Sequence, residues 1–252
     1  MTAAKDKPAP AEGRPNWHGP HPVVSRALSV AADGLYARWY APTDVHRPRP
    51  GLVVFGGSNG GLHTAPLARA FASYGYPALA LAYFRAPGLP SRLENIPLEY
   101  FEGAIQFVRR QPGVGRVVLS GSSRGGEAAL LLAATYPARV QGVVAIVPHY
   151  QTNYGWSLKG KPVPYDEVIP VECIRRPILT ASGGRDRIWS SSVYTDQIEL
   201  RLRDQHFRCP HQRLDFPREG HSLAGAQAEL WTQMRKFMRR LAAPPRDPAR
   251  GS

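Results

Sequence analysis

Apolar and polar positions alternate along this chain in two registers, and the succession of runs predicts most of its architecture. Over 23–40 the two kinds interleave, with Leu35, Ala37 and Trp39 set against Tyr36, Arg38 and Tyr40. That period of two predicts two strands turning at Ala32-Asp33-Gly34 as an antiparallel hairpin. Leu52-Val53-Val54-Phe55 is continuously apolar and runs into Gly56-Gly57-Ser58-Asn59-Gly60-Gly61, the pattern of a buried parallel strand entering a tight glycine loop. A helix over about 66–74, a strand over 77–83 and a loop over 84–96 follow. Across 97–110, Leu98, Phe101, Ile105 and Val108 fall at helical spacing, and Pro97 fits the first turn, where its missing N–H costs nothing.

Further strands are expected at 116–119, 140–147, 177–181 and 212–216, with helices at 127–134, 190–205 and 222–241. Residues 148–176 break this alternation. Tyr150, Tyr154, Trp156 and Tyr165 stand there among prolines and glycines, which reads as a lid insertion over the sheet edge, the kind of segment that caps active sites. Strands alternating with helices predict an α/β fold with a mostly parallel, doubly wound sheet and an antiparallel N-terminal hairpin. One domain over 21–242 is expected, with the lid at about 148–176. Residues 1–20 read as a disordered segment and 243–252 as a flexible tail.

Composition adds bounds. The chain has 252 residues, 43% of them hydrophobic, enough for one sizeable core. Thirty-two Lys and Arg against 19 Asp and Glu leave a formal charge of +13, which would suit anionic partners. The basic residues are scattered in small groups such as Arg109-Arg110, Arg175-Arg176 and 236–240, without interleaved stacking aromatics. A solvated surface is therefore expected rather than a nucleic-acid module. The first twenty residues contain no apolar signal region and no later run reaches membrane-spanning length, so the expectation is a soluble cytoplasmic protein with no membrane partner. Cys173 and Cys209 lack metal-ligand spacing. They are expected to be buried or neutral thiols, with no metal and no cofactor. Nothing in the pattern sets an oligomeric state.

Candidate chemistry centres on Gly121-Ser122-Ser123-Arg124-Gly125. A G-x-S-x-G between an apolar run and a helix-forming run is the context of a nucleophile elbow, where flanking glycines let the backbone turn tightly enough to expose the Ser123 hydroxyl. Ser122 lacks glycines at both offsets. Two partners follow predicted strands: Asp186 in Ser182-Gly183-Gly184-Arg185-Asp186, and His221 in Glu219-Gly220-His221. The order nucleophile, acid, histidine is that of α/β-hydrolases. A serine hydroxyl is a poor nucleophile near neutrality, so His221 is assigned to take and return its proton, and Asp186 to orient the imidazole. The oxyanion donors are expected to be the backbone N–H of Arg124 and one from the Gly57-Ser58 turn. Glu127, one turn into the following helix, reads as a structural hydrogen-bonding residue. Tyr150, Tyr154 and Trp156 are assigned to the substrate pocket, although a packed lid needs aromatics too.

Several motifs carry a more specific resemblance. They are Phe55-Gly56-Gly57-Ser58-Asn59-Gly60-Gly61-Leu62, Ala80-Leu81-Ala82-Tyr83-Phe84, Ile96-Pro97-Leu98-Glu99-Tyr100-Phe101, Ser122-Ser123-Arg124-Gly125-Gly126-Glu127, Leu158-Lys159-Gly160-Lys161, Ile169-Pro170-Val171-Glu172, Gly184-Arg185-Asp186 with Trp189, and Gly220-His221. Together they resemble the C-terminal catalytic domain of the acyl-CoA thioesterase and bile acid-CoA:amino acid N-acyltransferase family, over about 51–222. The resemblance implies an acyl thioester substrate, on coenzyme A or a phosphopantetheine carrier protein, and a covalent acyl-enzyme released to water or an amine. Amine-transferring members commonly have cysteine at the elbow; Ser123 matches the thioesterases. Mammalian-type members carry an immunoglobulin-like domain before this region, where only about fifty residues stand here, too few for one. Alternatives are a carboxylesterase or lactone hydrolase, an acyltransferase or cyclase of a biosynthetic pathway, and a non-catalytic binding scaffold.

Overall fold

A computed structural model describes residues 15–243. In chain order the elements are β1 (Val23–Leu28), α1 (Val30–Asp33), β2 (Tyr36–Pro42), β3 (Arg49–Phe55), α2 (Ala65–Ser73), β4 (Ala78–Ala82), β5 (Ile96–Pro97), α3 (Leu98–Arg109), β6 (Val114–Ser122) and α4 (Arg124–Thr135). They continue with β7 (Gly142–Ile146), β8 (Trp156–Leu158), β9 (Lys161–Pro162), β10 (Ile178–Gly183), α5 (Ser191–Asp204), β11 (His211–Phe216) and α6 (Gln227–Ala242). Eight strands form one sheet in the order β1-β2-β4-β3-β6-β7-β10-β11. β1 and β2 pair antiparallel, as do β2 and β4, and every later pairing in this sheet is parallel.

The continuous apolar runs are explained by burial on both faces. Val53 and Phe55 of β3 join Leu79, Leu81, Leu119 and Val143 in one core beneath α3, α4 and α5. Their neighbours Leu52 and Val54 point the other way and join Ala78, Val118, Val144 and Leu179 beneath α2 and α6. Side chains alternate in direction along a strand, so a strand covered on both faces needs apolar residues at consecutive positions. Among the described residues no helix is long and apolar enough to cross a membrane.

The structure departs from the sequence reading at several points. Residues 148–176 arise from the interior of the sheet and not from its edge. They leave β7 and return to β10, which are adjacent interior strands, and they build a separate small sheet, β5-β8-β9. Ile96 and Pro97 pair with Trp156 and Ser157 in it, so Pro97 is extended and caps α3 instead of opening its first turn. The last helix begins at Gln227, not 222, because Leu223 sits in the left-handed region at φ 48° and a short 3-10 turn intervenes. Residues 1–14 and 244–252 lie outside the described residues. Residues 15–20, expected to be disordered, are docked: the Asn16 carbonyl accepts from Tyr74 and Trp231, and the Gly19 N–H donates to Ser73 Oγ at 2.9 Å. Of the two alternatives expected for the cysteines, burial does not hold: Cys173 is exposed and Cys209 half-buried.

Candidate active site

Ser123 stands between the last residue of β6 and the first of α4, at φ 57° and ψ −123°. This is a costly conformation for a residue with a side chain, and the neighbouring glycines make room for it. A Cβ on Gly121 would come within 2.0 Å of the Gly125 carbonyl oxygen, and one on Gly125 within 2.3 Å of the Gly56 carbonyl oxygen. The G-x-S-x-G spacing is thus a requirement of close backbone packing. The Ser123 N–H donates to the Ile146 carbonyl at 2.8 Å, which ties the turn to the end of β7.

His221 and Asp186, 98 and 35 positions from their hydrogen-bond partners, meet Ser123 at the carboxyl ends of the parallel strands. His221 Nε2 lies 2.9 Å from Ser123 Oγ, and Nδ1 lies 2.7 Å from Asp186 Oδ2. The Asp186 side chain is fully enclosed. Its other oxygen accepts from the backbone N–H groups of Ile188 and Trp189, at 3.0 and 3.3 Å. Trp189 donates its indole N–H to the Val147 carbonyl and sets its ring edge against His221, with centroids 5.4 Å apart. The imidazole is therefore held at Nδ1 by Asp186 and packed by Trp189. Such an arrangement can move a proton from Ser123 to His221 while Asp186 holds the imidazole in one orientation.

The elements expected to supply oxyanion donors, the first residue of α4 and the Gly57-Ser58 turn, both adjoin Ser123. Gly57 packs directly on the serine: a Cβ there would lie 2.7 Å from Ser123 Cβ and 3.2 Å from its Oγ. Arg124 is the first residue of α4, so its N–H has no partner within the helix. The loop is held by Tyr83, which sequence reasoning missed as a site residue although it ends the Ala80-Leu81-Ala82-Tyr83-Phe84 motif. Its hydroxyl donates to the carbonyls of Gly56 and Gly57, at 2.9 and 3.2 Å. A trans peptide points its N–H opposite to its carbonyl. Anchoring these carbonyls therefore also fixes the direction of the Gly57 and Ser58 N–H groups. Burial pushes the Tyr83 hydroxyl far above its ordinary pKa, so it remains a donor.

Below the elbow, Glu127 is buried completely. Its carboxylate accepts from Arg124 Nη1 at 2.8 Å, the Asn153 N–H at 2.7 Å, Asn153 Nδ2 at 3.1 Å and Trp156 Nε1 at 2.7 Å. Arg124 also donates to the Tyr154 carbonyl and lies over the Trp156 ring. One buried ion pair thus ties the insertion to the elbow helix. Burial raises the Glu127 pKa and lowers that of Arg124, each opposed by the charge of the other.

The three aromatic residues assigned to the pocket are separated. Trp156 is enclosed at 1% exposure against Tyr83 and Phe101, with its indole N–H committed to Glu127. It is a core residue, a correction to the expected pocket role, because the insertion packs inward where a free-standing lid would have turned it to a ligand. Tyr154 is exposed and stacks on Tyr165. Tyr150 stacks on His149, which in turn meets Trp189 edge-on. Burial lowers the His149 pKa and keeps this ring neutral near pH 7.

The family profile described as "BAAT / Acyl-CoA thioester hydrolase C terminal" matches residues 96–165 and 156–225, more than half of the chain. The chain belongs to this family. The match in the BAAT / acyl-CoA thioester hydrolase family covers Ser123, Asp186 and His221. Human acyl-coenzyme A thioesterase 6 is 29% identical over 233 residues, spanning 79% of this chain and 54% of its own length. Mouse acyl-coenzyme A thioesterase 1 is 30% identical, spanning 69% and 48%. Mouse acyl-coenzyme A amino acid N-acyltransferase 1 is 27% identical, spanning 77% and 60%. The chain spans about half the length of the curated thioesterases it matches. Among solved structures, a dienelactone hydrolase-like promiscuous phosphotriesterase from metagenomic libraries superposes with a TM-score of 0.66 at 21% identity, covering 88% of this chain and 99% of that one. Est1E from Butyrivibrio proteoclasticus gives 0.61 at 15%, covering 87% and 99%. At these identities the likeness establishes the α/β-hydrolase fold.

Proposed function

We propose that this protein hydrolyses acyl thioesters, on coenzyme A or on a phosphopantetheine carrier protein, through an acyl-enzyme on Ser123. The observation that carries the reading is the continuous hydrogen-bond chain from Ser123 Oγ through His221 to the enclosed Asp186 carboxylate. As Ser123 attacks the thioester carbonyl, His221 takes the hydroxyl proton, and the imidazolium that forms is stabilised by Asp186. The backbone N–H of Arg124 and that of Gly57 or Ser58 receive the developing oxyanion. Collapse expels the thiol, which takes the proton from His221. Water activated by the same imidazole then releases the acid.

Membership of a family that includes thioesterases supports the thioester as substrate. The serine at the elbow supports water as acceptor. The same acyl-enzyme can pass its acyl group to an amine, the reading suggested by the N-acyltransferase among the relatives. Incubation with a panel of acyl-CoA thioesters, assaying free thiol and analysing products by mass, separates these. Thiol release by wild type and none by Ser123→Ala is expected, with free acid as product. Absence of release from every thioester, or an unaffected Ser123→Ala, refutes the reading. Brief exposure followed by intact-protein mass spectrometry should show the acyl adduct on Ser123.

A further inference from the structure

A cavity of about 220 Å3 opens beside the elbow, reaching Ser122 and His221, the residues that flank the Ser123 hydroxyl in chain and in space. Leu67 of α2, Ile146 at the end of β7, and Leu230, Trp231 and Met234 of α6 supply its apolar surface, beside the polar His63, Thr64, Ser222 and Gln227. Trp17, from the docked segment that precedes β1, also lines it. Trp17 also lines a second cavity of about 460 Å3, which includes Tyr40 and Arg69. We propose that the smaller cavity is the acyl subsite and that Trp17 is the partition that sets the acyl chain length. This rests on the hydrolase reading above.

The two ends of an acyl thioester have opposite chemistry, and this decides which end the cavity takes. The carrier end is anionic and hydrated and needs cations. No lysine or arginine contributes to the wall of the small cavity, whereas Arg185 and Arg187 stand exposed on either side of Asp186. The acyl end needs apolar surface, which Leu67, Leu230 and Met234 supply. The space is less than half that of the second cavity lined by Trp17. A medium-length chain fits; a long one meets Trp17.

Trp17 is placed by its backbone and not by its ring. Its carbonyl accepts from Ser73 Oγ at 3.2 Å, the neighbouring Asn16 carbonyl accepts from Trp231 Nε1 at 3.1 Å, and the Gly19 N–H is bound at Ser73. The indole N–H, in contrast, is buried with no acceptor among the described residues. Packing alone therefore holds the ring between the two cavities. Removing it joins them and leaves the segment's anchoring bonds in place.

The test uses the full chain and three probes, acetyl-CoA, octanoyl-CoA and palmitoyl-CoA, with kcat/KM measured for each. Wild type should prefer octanoyl-CoA to palmitoyl-CoA. Trp17→Ala should raise the palmitoyl-to-octanoyl ratio about tenfold or more, the scale on which apolar pockets discriminate chain length. Met234→Trp, which fills the cavity from α6, should lower the octanoyl-to-acetyl ratio by about the same factor. This second variant reads the same subsite even if loss of Trp17 loosens the docked segment. Should wild type cleave the probes while both variants keep the wild-type ratios, the subsite assignment is wrong and the hydrolase reading stands. Should wild type release no thiol from these probes yet release it from another thioester, the subsite assignment falls and the hydrolase reading stands; release from no thioester at all overturns both.

Discussion

Glu127→Ala removes the centre of the network that joins the elbow helix to the insertion, and its cost can be worked from the contacts. The carboxylate accepts four hydrogen bonds, of 2.7, 2.7, 2.8 and 3.1 Å, and balances the Arg124 charge, whose side chain is 10% exposed. Deleting one partner of a buried pair leaves the other charged and unpaired, which costs about 3–5 kcal/mol. For a chain of this size each kcal/mol lowers Tm by about 2–4 °C, so a fall of roughly 6–20 °C is expected. Glu127→Gln should still destabilise. Its amide oxygen can keep the bonds from Asn153 N–H and Trp156, but its NH2 would face Arg124 Nη1, donor against donor. Replacing both members, as Arg124→Met with Glu127→Met, should be much less harmful than the worse single variant. Urea melts give the energies, and hydrogen exchange at the Asn153 amide reports whether the insertion loosens first. A Glu127→Ala protein within about 1 kcal/mol of wild type would refute the claim that this pair anchors the insertion.

Asp186→Asn should lower kcat about 10^4-fold while leaving the fold intact, since the amide stabilises the wrong imidazole tautomer; a drop under tenfold in steady-state assays would remove Asp186 from its assigned role. Tyr83→Phe leaves the Gly56 carbonyl without its donor and the Gly57 carbonyl with only the Gly60 N–H at 3.4 Å, so kcat should fall with KM little changed, and stability should drop by about 1–3 kcal/mol. Unchanged kcat would show that the loop holds its direction without Tyr83. Gly57→Ala places a methyl 2.7 Å from Ser123 Cβ, and labelling of Ser123 by a fluorophosphonate should slow sharply; wild-type labelling would contradict that contact. Glu172 binds Arg201 through two hydrogen bonds, of 2.5 and 2.6 Å, and this holds its carboxyl below the usual 4.5. The folded value is the depressed one, so the stabilisation is present above pH 4.5 and lost as pH falls through the folded value. Melts of wild type should therefore decline more steeply than those of Glu172→Gln below pH 4.5, and parallel curves would refute the linkage.

Local chemistry made the strands and the elbow legible. Leu52 to Phe55 could only be a strand covered on both faces, and glycines at 121 and 125 could be anticipated because the turn leaves no room for a Cβ at either. Asp186 and His221 were legible for a related reason: each lies in a loop just after a predicted strand, and parallel strands bring such loops to one edge whatever the intervening chain does. The three aromatic residues of 148–176 show where this reasoning stops. Their spacing gave no means of telling Trp156, turned inward to Glu127, from Tyr154, turned out to solvent.

The sequence by itself determined the alternation of strands and helices, the sharp turn at Ser123 and the pair of loops that face it, because each rests on interactions within a few residues or on the fixed direction of parallel strands. Tertiary structure decided the rest. Asn16 meets Trp231 and Trp17 meets Ser73 across long stretches of chain, Tyr83 reaches back to Gly56, and Glu127 binds Asn153, 26 residues later. Such contacts depend on the relative placement of whole elements, which no local pattern encodes, and they are what give the candidate site its walls, its anchoring and its reach.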